Sequence, residues 1–325
     1  MAVIQHESDM RLDAMLTNLL LGYGSQAIIA DKIFPKVTVA DPTGKFFIWD
    51  QTNGLNITGL DPRRADDAKV KLIEFGISQD TYKCDQYALG RRLPDSFVKN
   101  AMNVLSLREN TARMVVDTLD TYREQAAATL AFTNANYDSS LRVTLATNDR
   151  WSQVSNASSN PIEDIAGAKH DMLKQVGVVP GAKLRLVIGP DGERYLRNHD
   201  KIKDQVKYTY GTGWNNMSLD AIAPIIGVDE IVVGRSRYNT AKDGQTASPG
   251  FIWTTHAALL MVQDMPVINA PSFGYTFVPG HTPRTVESYR PEGTKSEEIN
   301  VNEMWDLKIC MTKAGYFFNN AFDIS

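Results

Sequence analysis

Cysteine is nearly absent. Cys84 and Cys310 are the only two in 325 residues, and they stand far apart with no paired spacing. That excludes a zinc ribbon, a disulfide-dense scaffold and a redox pair. One disulfide or two free thiols remain open, with two reduced thiols in a cytoplasmic chain the preferred reading. Nor does the chain need a staple, since a domain of this length buries about three quarters of its unfolded surface. Long apolar runs are missing too. The best, from Ala257 to Val262, is far short of the ~20 residues that span a bilayer. The opening stretch, Met1 to Arg11, has neither the basic start nor the apolar centre of a secretory signal. No membrane partner is expected. A formal net charge of −4 gives no global pull toward nucleic acid.

Catalytic signatures are equally scarce. The five histidines, His6, His170, His199, His256 and His281, include no i,i+4 pair and no HExxH setting, so no metal is expected. There is no Gly-x-Ser-x-Gly elbow, and neither cysteine has a local context that favours a thiolate. Gly211-Thr212-Gly213 lacks the Gly-Lys-Ser/Thr that completes a phosphate cradle. The carboxylate pairs Asp66-Asp67 and Glu297-Glu298 fall in a loop or at a strand edge, where solvated charge is the ordinary outcome. No cofactor and no enzymatic constellation is expected.

What the chain does have is one long helical stretch, from Asn103 to about Asn134, without Gly or Pro. Ala112, Val115, Leu119, Tyr122, Ala126 and Leu130 recur at spacings of three and four, predicting one buried face. Arg108, Asp117, Asp120 and Arg123 occupy much of the rest. The stripe is Ala-rich and lasts about three heptads, too weak for a free coiled coil. It reads as a spine laid along a sheet.

Around the spine the chain divides by character. Leu12, Met15, Leu16, Leu19 and Leu20 predict a short amphipathic helix. Ile33-Phe34-Pro35 and Val37-Thr38-Val39 predict an extended arm. From Lys45 to about Arg92, two strands (Phe46 to Trp49, and Lys69 to Ile77) flank a polar stretch with potential turns at Asn53-Gly54, Thr58-Gly59 and Asp61-Pro62. This is a projecting hairpin, marginal alone in water. Arg63, Arg64, Lys69 and Lys71 cluster near its tip among Asp61, Asp66 and Asp67. Mixed charge without stacking aromatics suits a protein partner better than nucleic acid.

Beyond the spine, Tyr137 to Asn160 is a polar connection anchored by Trp151. Pro161 to about Pro283 alternates helices with short buried strands as one compact α/β unit. Its helices are expected at Pro161 to Val176, after Gly189 and over Leu219 to Ile226. Its strands are expected over Leu184 to Ile188, Ile231 to Val233 and Phe251 to Val262. Lys207 to Asn216 and Asn239 to Gly250 read as loops. The tail returns as a long half-buried strand, from Ile299 to Met311, with a phase slip near Glu303. Arg284 to Arg290 pairs with it across the turn Pro291 to Thr294.

An arm, a two-stranded loop, a spine helix, an inserted α/β unit and a returning strand, in that order, resemble the major capsid protein of tailed bacteriophages (the Hong-Kong-ninety-seven-type fold). Ile33-Phe34-Pro35 with Val37 and Val39, Glu124-Gln125-Ala126-Ala127, and Lys313-Ala314-Gly315-Tyr316-Phe317 carry local likeness. The resemblance implies an α+β fold in five parts: an N-terminal arm over 1–44, an E-loop over 45–93, a peripheral domain with the spine helix over 94–160, an axial domain over 161–283, and returning peripheral strands over 284–325. It implies a structural protein of the virion, not an enzyme, self-assembling as hexamers and pentamers into an icosahedral head shell around double-stranded DNA, by way of a procapsid in the host bacterial cytoplasm. The implied partners are further copies of the chain, a separate scaffolding protein, a portal, a decoration protein and DNA contacted non-specifically. Some members of the family weld their shells with a Lys–Asn isopeptide bond. Lys69, Lys71, Asn319 and Asn320 have the residue types, but no local motif singles out a pair, so no weld is expected. An encapsulin-type nanocompartment shell shares the fold and is the nearer alternative. An α/β enzyme with a site assembled from distant residues is the other.

Overall fold

The computed structural model describes residues 11–12, 28–49, 63, 69, 77–100, 104–210, 218–241, 244–267, 270–280 and 284–323. In chain order, β1 (Arg11–Leu12) precedes a single helical turn, α1 (Ala30–Ile33), and β2 (Lys36–Val39). Strands β3 (Thr43–Trp49) and β4 (Ile77–Lys83) pair antiparallel, and β5 (Asp85–Pro94) leads through α2 (Asp95–Asn100) into the spine, α3 (Val104–Ala131). The spine's 28 residues make a rod of about 42 Å. The connection carries β6 (Arg142–Thr144), followed by α4 (Pro161–Val176), β7 (Ala182–Ile188), α5 (Pro190–Asn198), α6 (Asp200–Tyr210), α7 (Leu219–Ile226) and β8 (Glu230–Val233). The chain closes with β9 (Arg237–Asn239), β10 (Pro249–Phe251), β11 (Ala257–Gln263), β12 (Gly274–Pro279), β13 (Thr285–Tyr289), β14 (Ser296–Ile309) and β15 (Gly315–Asn319).

Two sheets organise these parts. In one, β14 runs antiparallel to β5 (Ser296↔Pro94 to Trp305↔Asp85), to β13 and to β12, and β12 pairs in parallel with β2. In the other, the order is β6-β15-β11-β7-β8, with β11 buried along its whole length. The first half of the spine covers the first sheet: Ala112, Val115, Val116 and Leu119 pack on Val286, Ile299 and Val301. The second half, Ala127, Ala128 and Ala131, enters the large core around β11.

Local chemistry sets the helix ends. Pro161 opens α4 with Glu163 and Asp164 in its first turn, and Gly177 stops it at φ 74°. Asn160 spends its amide on Glu163, 3.0 Å away, rather than capping the backbone. Ser218 Oγ accepts from the Ala221 N–H at the start of α7. Trp151 is wholly buried and donates to Asp164 at 2.8 Å, which ties the polar connection to α4.

Several expectations need correction. Leu12 lies in a strand against Glu287, not in a helix; Met15, Leu16, Leu19 and Leu20 lie outside the described residues. Lys207 to Tyr210 finish α6 rather than starting a loop, and Asn239, Pro249 and Gly250 pair as β9–β10. The strand expected from Phe251 to Val262 is broken, because Ile252 to His256 turn Trp253 into the core. Glu303 causes no phase slip: it points inward in step with Val301 and Trp305 because Arg284 neutralises it there.

On the spine, Ala112, Val115 and Leu119 are buried, but Tyr122 is 54% exposed and Ala126 and Leu130 are half-buried. The buried line drifts onto Asp120, Arg123, Glu124, Ala127 and Ala131 as the helix passes from one sheet to the other. Paired charges inside look like solvated charges in a sequence. Sheet membership also crosses the boundaries expected for the α/β unit. Strands β6 and β15 join its sheet from outside 161–283, whereas β12, inside that range, belongs to the sheet under the spine.

Candidate assembly site

The middle of the spine is a polar junction. Arg284, at the start of β13, donates to Asp120 and, at 2.7 Å and 3.0 Å, to Glu303, while Trp305 Nε1 donates to the other Glu303 oxygen at 3.0 Å. Arg123 lies 3.6 Å from Asp120 and 3.3 Å from Asp31 of α1. Glu124 is fully buried and accepts from the N–H groups of Ile29 and Ala30 at 2.8–3.1 Å and from Trp253 Nε1 at 2.6 Å. Burial raises the Glu124 carboxyl above its ordinary range against the pull of these donors. Three nearly adjacent residues thus attach the spine to the first sheet, to the N-terminal segment and to the core of the second sheet. Each is a buried charge with partners, the arrangement that fixes a geometry more than it adds stability. Only Glu124 had a sequence signal, and that was family likeness.

The hairpin has a firmer root than its polar sequence implies. Phe46 and Tyr82 pack on Phe277 of β12, with ring centroids 5.3 Å and 4.6 Å apart, in a cluster that also holds Val37, Val39, Cys84, Tyr275 and Cys310. Cys84 and Cys310 are both free and buried, and burial pushes their thiols up to about 11 and about 12. They are inert packing groups. Beyond β3 and before β4, Arg63 and Lys69 are exposed. Arg64, Lys71 and the three turns of the hairpin lie outside the described residues; of the strand expected over Lys69 to Ile77, Lys69 is in no strand and Ile77 opens β4, which runs on to Lys83. Asn319 is half-buried, its amide donating to Thr144 at 3.1 Å.

One contact has the look of a nucleophile and its base. Ser159 Oγ and His199 Nε2 are 3.0 Å apart and both residues are fully buried. The bonding runs the wrong way for catalysis. The Lys201 N–H donates to His199 Nδ1, which leaves the ring proton on Nε2 to donate to Ser159, whose own proton goes to the Arg150 carbonyl. The pair locks the polar connection onto the α5–α6 junction. Among the described residues, no three His, Cys, Asp or Glu side chains are grouped to hold a metal ion.

A spine helix along one sheet, a hairpin rooted on that sheet's far strands, and a second sheet with helices around it make up the α+β fold of tailed-phage major capsid proteins. The similarity extends to sequence. The chain is 24% identical over 315 residues to the major capsid protein of Pseudomonas phage JBD67, covering 95% of this chain and 97% of that one. A phage-related protein from Bordetella bronchiseptica, solved as a crystal structure, matches with a TM-score of 0.74 and 26% identity over 95% of this chain and 97% of its own. The capsid of cyanophage P-SCSP1u matches with a TM-score of 0.59 over 91% of this chain and 89% of its own; at 10% identity it speaks for the fold. No family model matches the chain.

Proposed function

We propose that this chain is the major capsid protein of a tailed phage, a structural subunit whose copies form hexamers and pentamers that close an icosahedral shell around double-stranded DNA. One observation carries the reading. Likeness to a phage major capsid protein runs over 95% of the chain and 97% of that protein. The geometry supports it. A hairpin with a packed root and a charged outer part is suited to reach a neighbouring copy. Closed symmetry covers strand edges that would be a liability in a monomer. The five-part division into arm, E-loop, peripheral domain, axial domain and returning strands belongs to this proposal. So do a role that is structural and not enzymatic, assembly in the host cytoplasm, and a scaffold, portal and decoration protein as partners.

Expression alone or with the scaffold gene of the same phage, followed by sedimentation and electron microscopy, tests the reading. Rings or closed shells are expected. A chain that stays monomeric or dimeric with scaffold supplied would sink it.

A further inference from the structure

The end of the second sheet where β11 leaves for β12 carries apolar side chains that no described residue covers. The loop between α4 and β7 presents Val178, 83% exposed, and the loop after β11 presents Met265, 82% exposed. The bases of the two loops are tied together. Gln263, itself 7% exposed, donates from its side chain to the carbonyls of Pro180 and Pro271 at 3.1 Å and 3.4 Å, and its N–H reaches Ser272 Oγ. Beside Val178 lies a depression of about 130 Å³, whose lining includes Met172, Leu173, Leu184 and Met261. Its edge carries Lys169 and Asp229, and a Lys183–Asp264 ion pair of 2.5 Å sits at the same end of the sheet.

We infer that this end of the sheet is a contact between copies of the chain, in which the Met265 loop of one subunit seats against the Val178 depression of the next. The inference rests on the shell reading and names a surface for it. Projection and depression lie at one end of the same subunit but are different surfaces. One subunit's projection can therefore seat in its neighbour's depression, and repetition of that contact closes a ring when the rotation allows. The rim holds both signs of charge, which gives no attraction to nucleic acid or an anionic membrane and suits a partner with the same mixed rim. Large apolar anchors surrounded by polar groups are the usual anatomy of an interface centre.

The full chain tests this, in three measurements made together. The parent is first scored for rings or shells. Val178→Asp with Met265→Asp is then expected to keep the parent's circular dichroism and melting temperature, both sites being more than 80% exposed, while ring formation falls at least tenfold at matched concentration. Met265→Cys is expected to react with a maleimide in dissociated subunits and to be protected at least tenfold in particles, the two native thiols being buried. A parent that forms no particles removes the shell reading, and this inference with it. Particles from the double variant at parental yield, or equal labelling of Met265→Cys in particles and subunits, overturn the contact while leaving the shell reading intact. If the double variant misfolds, the labelling result decides.

Discussion

Glu124 shows how much one residue can hold. Three buried donors, the N–H groups of Ile29 and Ala30 and the Trp253 indole, end on its carboxylate. Glu124→Ala leaves all three without an acceptor, at about 1–3 kcal/mol for each unsatisfied group. The urea midpoint should fall accordingly, and Glu124→Gln, which keeps one acceptor oxygen, should fall less. Equal midpoints for Glu124→Ala and the parent would show that water replaces the carboxylate.

Protonation adds a second residue-scale test. Burial lowers the His199 pKa below 6.5. The unfolded chain then takes up that proton first. The contribution of His199 to stability is whole above about pH 6.5 and is lost as pH falls toward the folded value. Glu124 acts with the opposite sign. Its folded pKa is raised above 4.5, so its contribution is whole below that pH and is lost as pH rises through the folded value. As pH falls from 8 to 5, the stability of the parent measured by urea should drop relative to that of His199→Gln. Parallel profiles would remove His199 as the cause.

At the scale of elements, the spine is the informative one. Leu119 is 3% exposed and faces Val286, Ile299 and Val301. Leu119→Asp places an unpaired charge there, at a cost of several kcal/mol, and the product should be insoluble or molten. Tyr122 stands one turn on, 54% exposed, beside the rings of Tyr87 and Trp305. Tyr122→Ser should cost about 1 kcal/mol and leave a folded subunit. Comparable losses from the two would mean that the helix is rotated about its axis.

At the scale of the whole molecule, folding and assembly separate. Arg63 is exposed on the part of the chain between β3 and β4, and an interaction made by a charge at an exposed position contributes about 1 kcal/mol or less to stability. Across a contact between copies, like-charge juxtaposition costs several kcal/mol. Arg63→Glu with Arg64→Glu should therefore melt like the parent by circular dichroism and fail to close shells, or close them only at high salt. Normal shells would show that these charges touch no neighbour. Parental shells are also expected to run as single subunits on a denaturing gel, since nothing in the sequence pairs Lys69 or Lys71 with Asn319 or Asn320. A ladder that survives boiling and reductant would overturn that.

Much of this was legible in the chain itself, for reasons of range. The spine, α4 with Gly177 at its end, α7 between Ser218 and Gly227, and the long strand ending at Ile309 declare themselves through neighbours a few residues away. Periodicity, capping and turn chemistry are all short-range. Tertiary structure alone decided the rest. Glu303 reads as a break in alternation until Arg284 is placed beside it, Asp120 and Arg123 read as a wet face until their partners arrive from Asp31 and Arg284, and Glu124 carries only family likeness until Ile29, Ala30 and Trp253 reach it. Strands β6 and β15 join the sheet of β11, and β12 joins the one under the spine, pairings between segments far apart in the chain that no local pattern specifies. A buried charge and a solvated one are the same letter. Only the position of its counter-ion in space tells them apart.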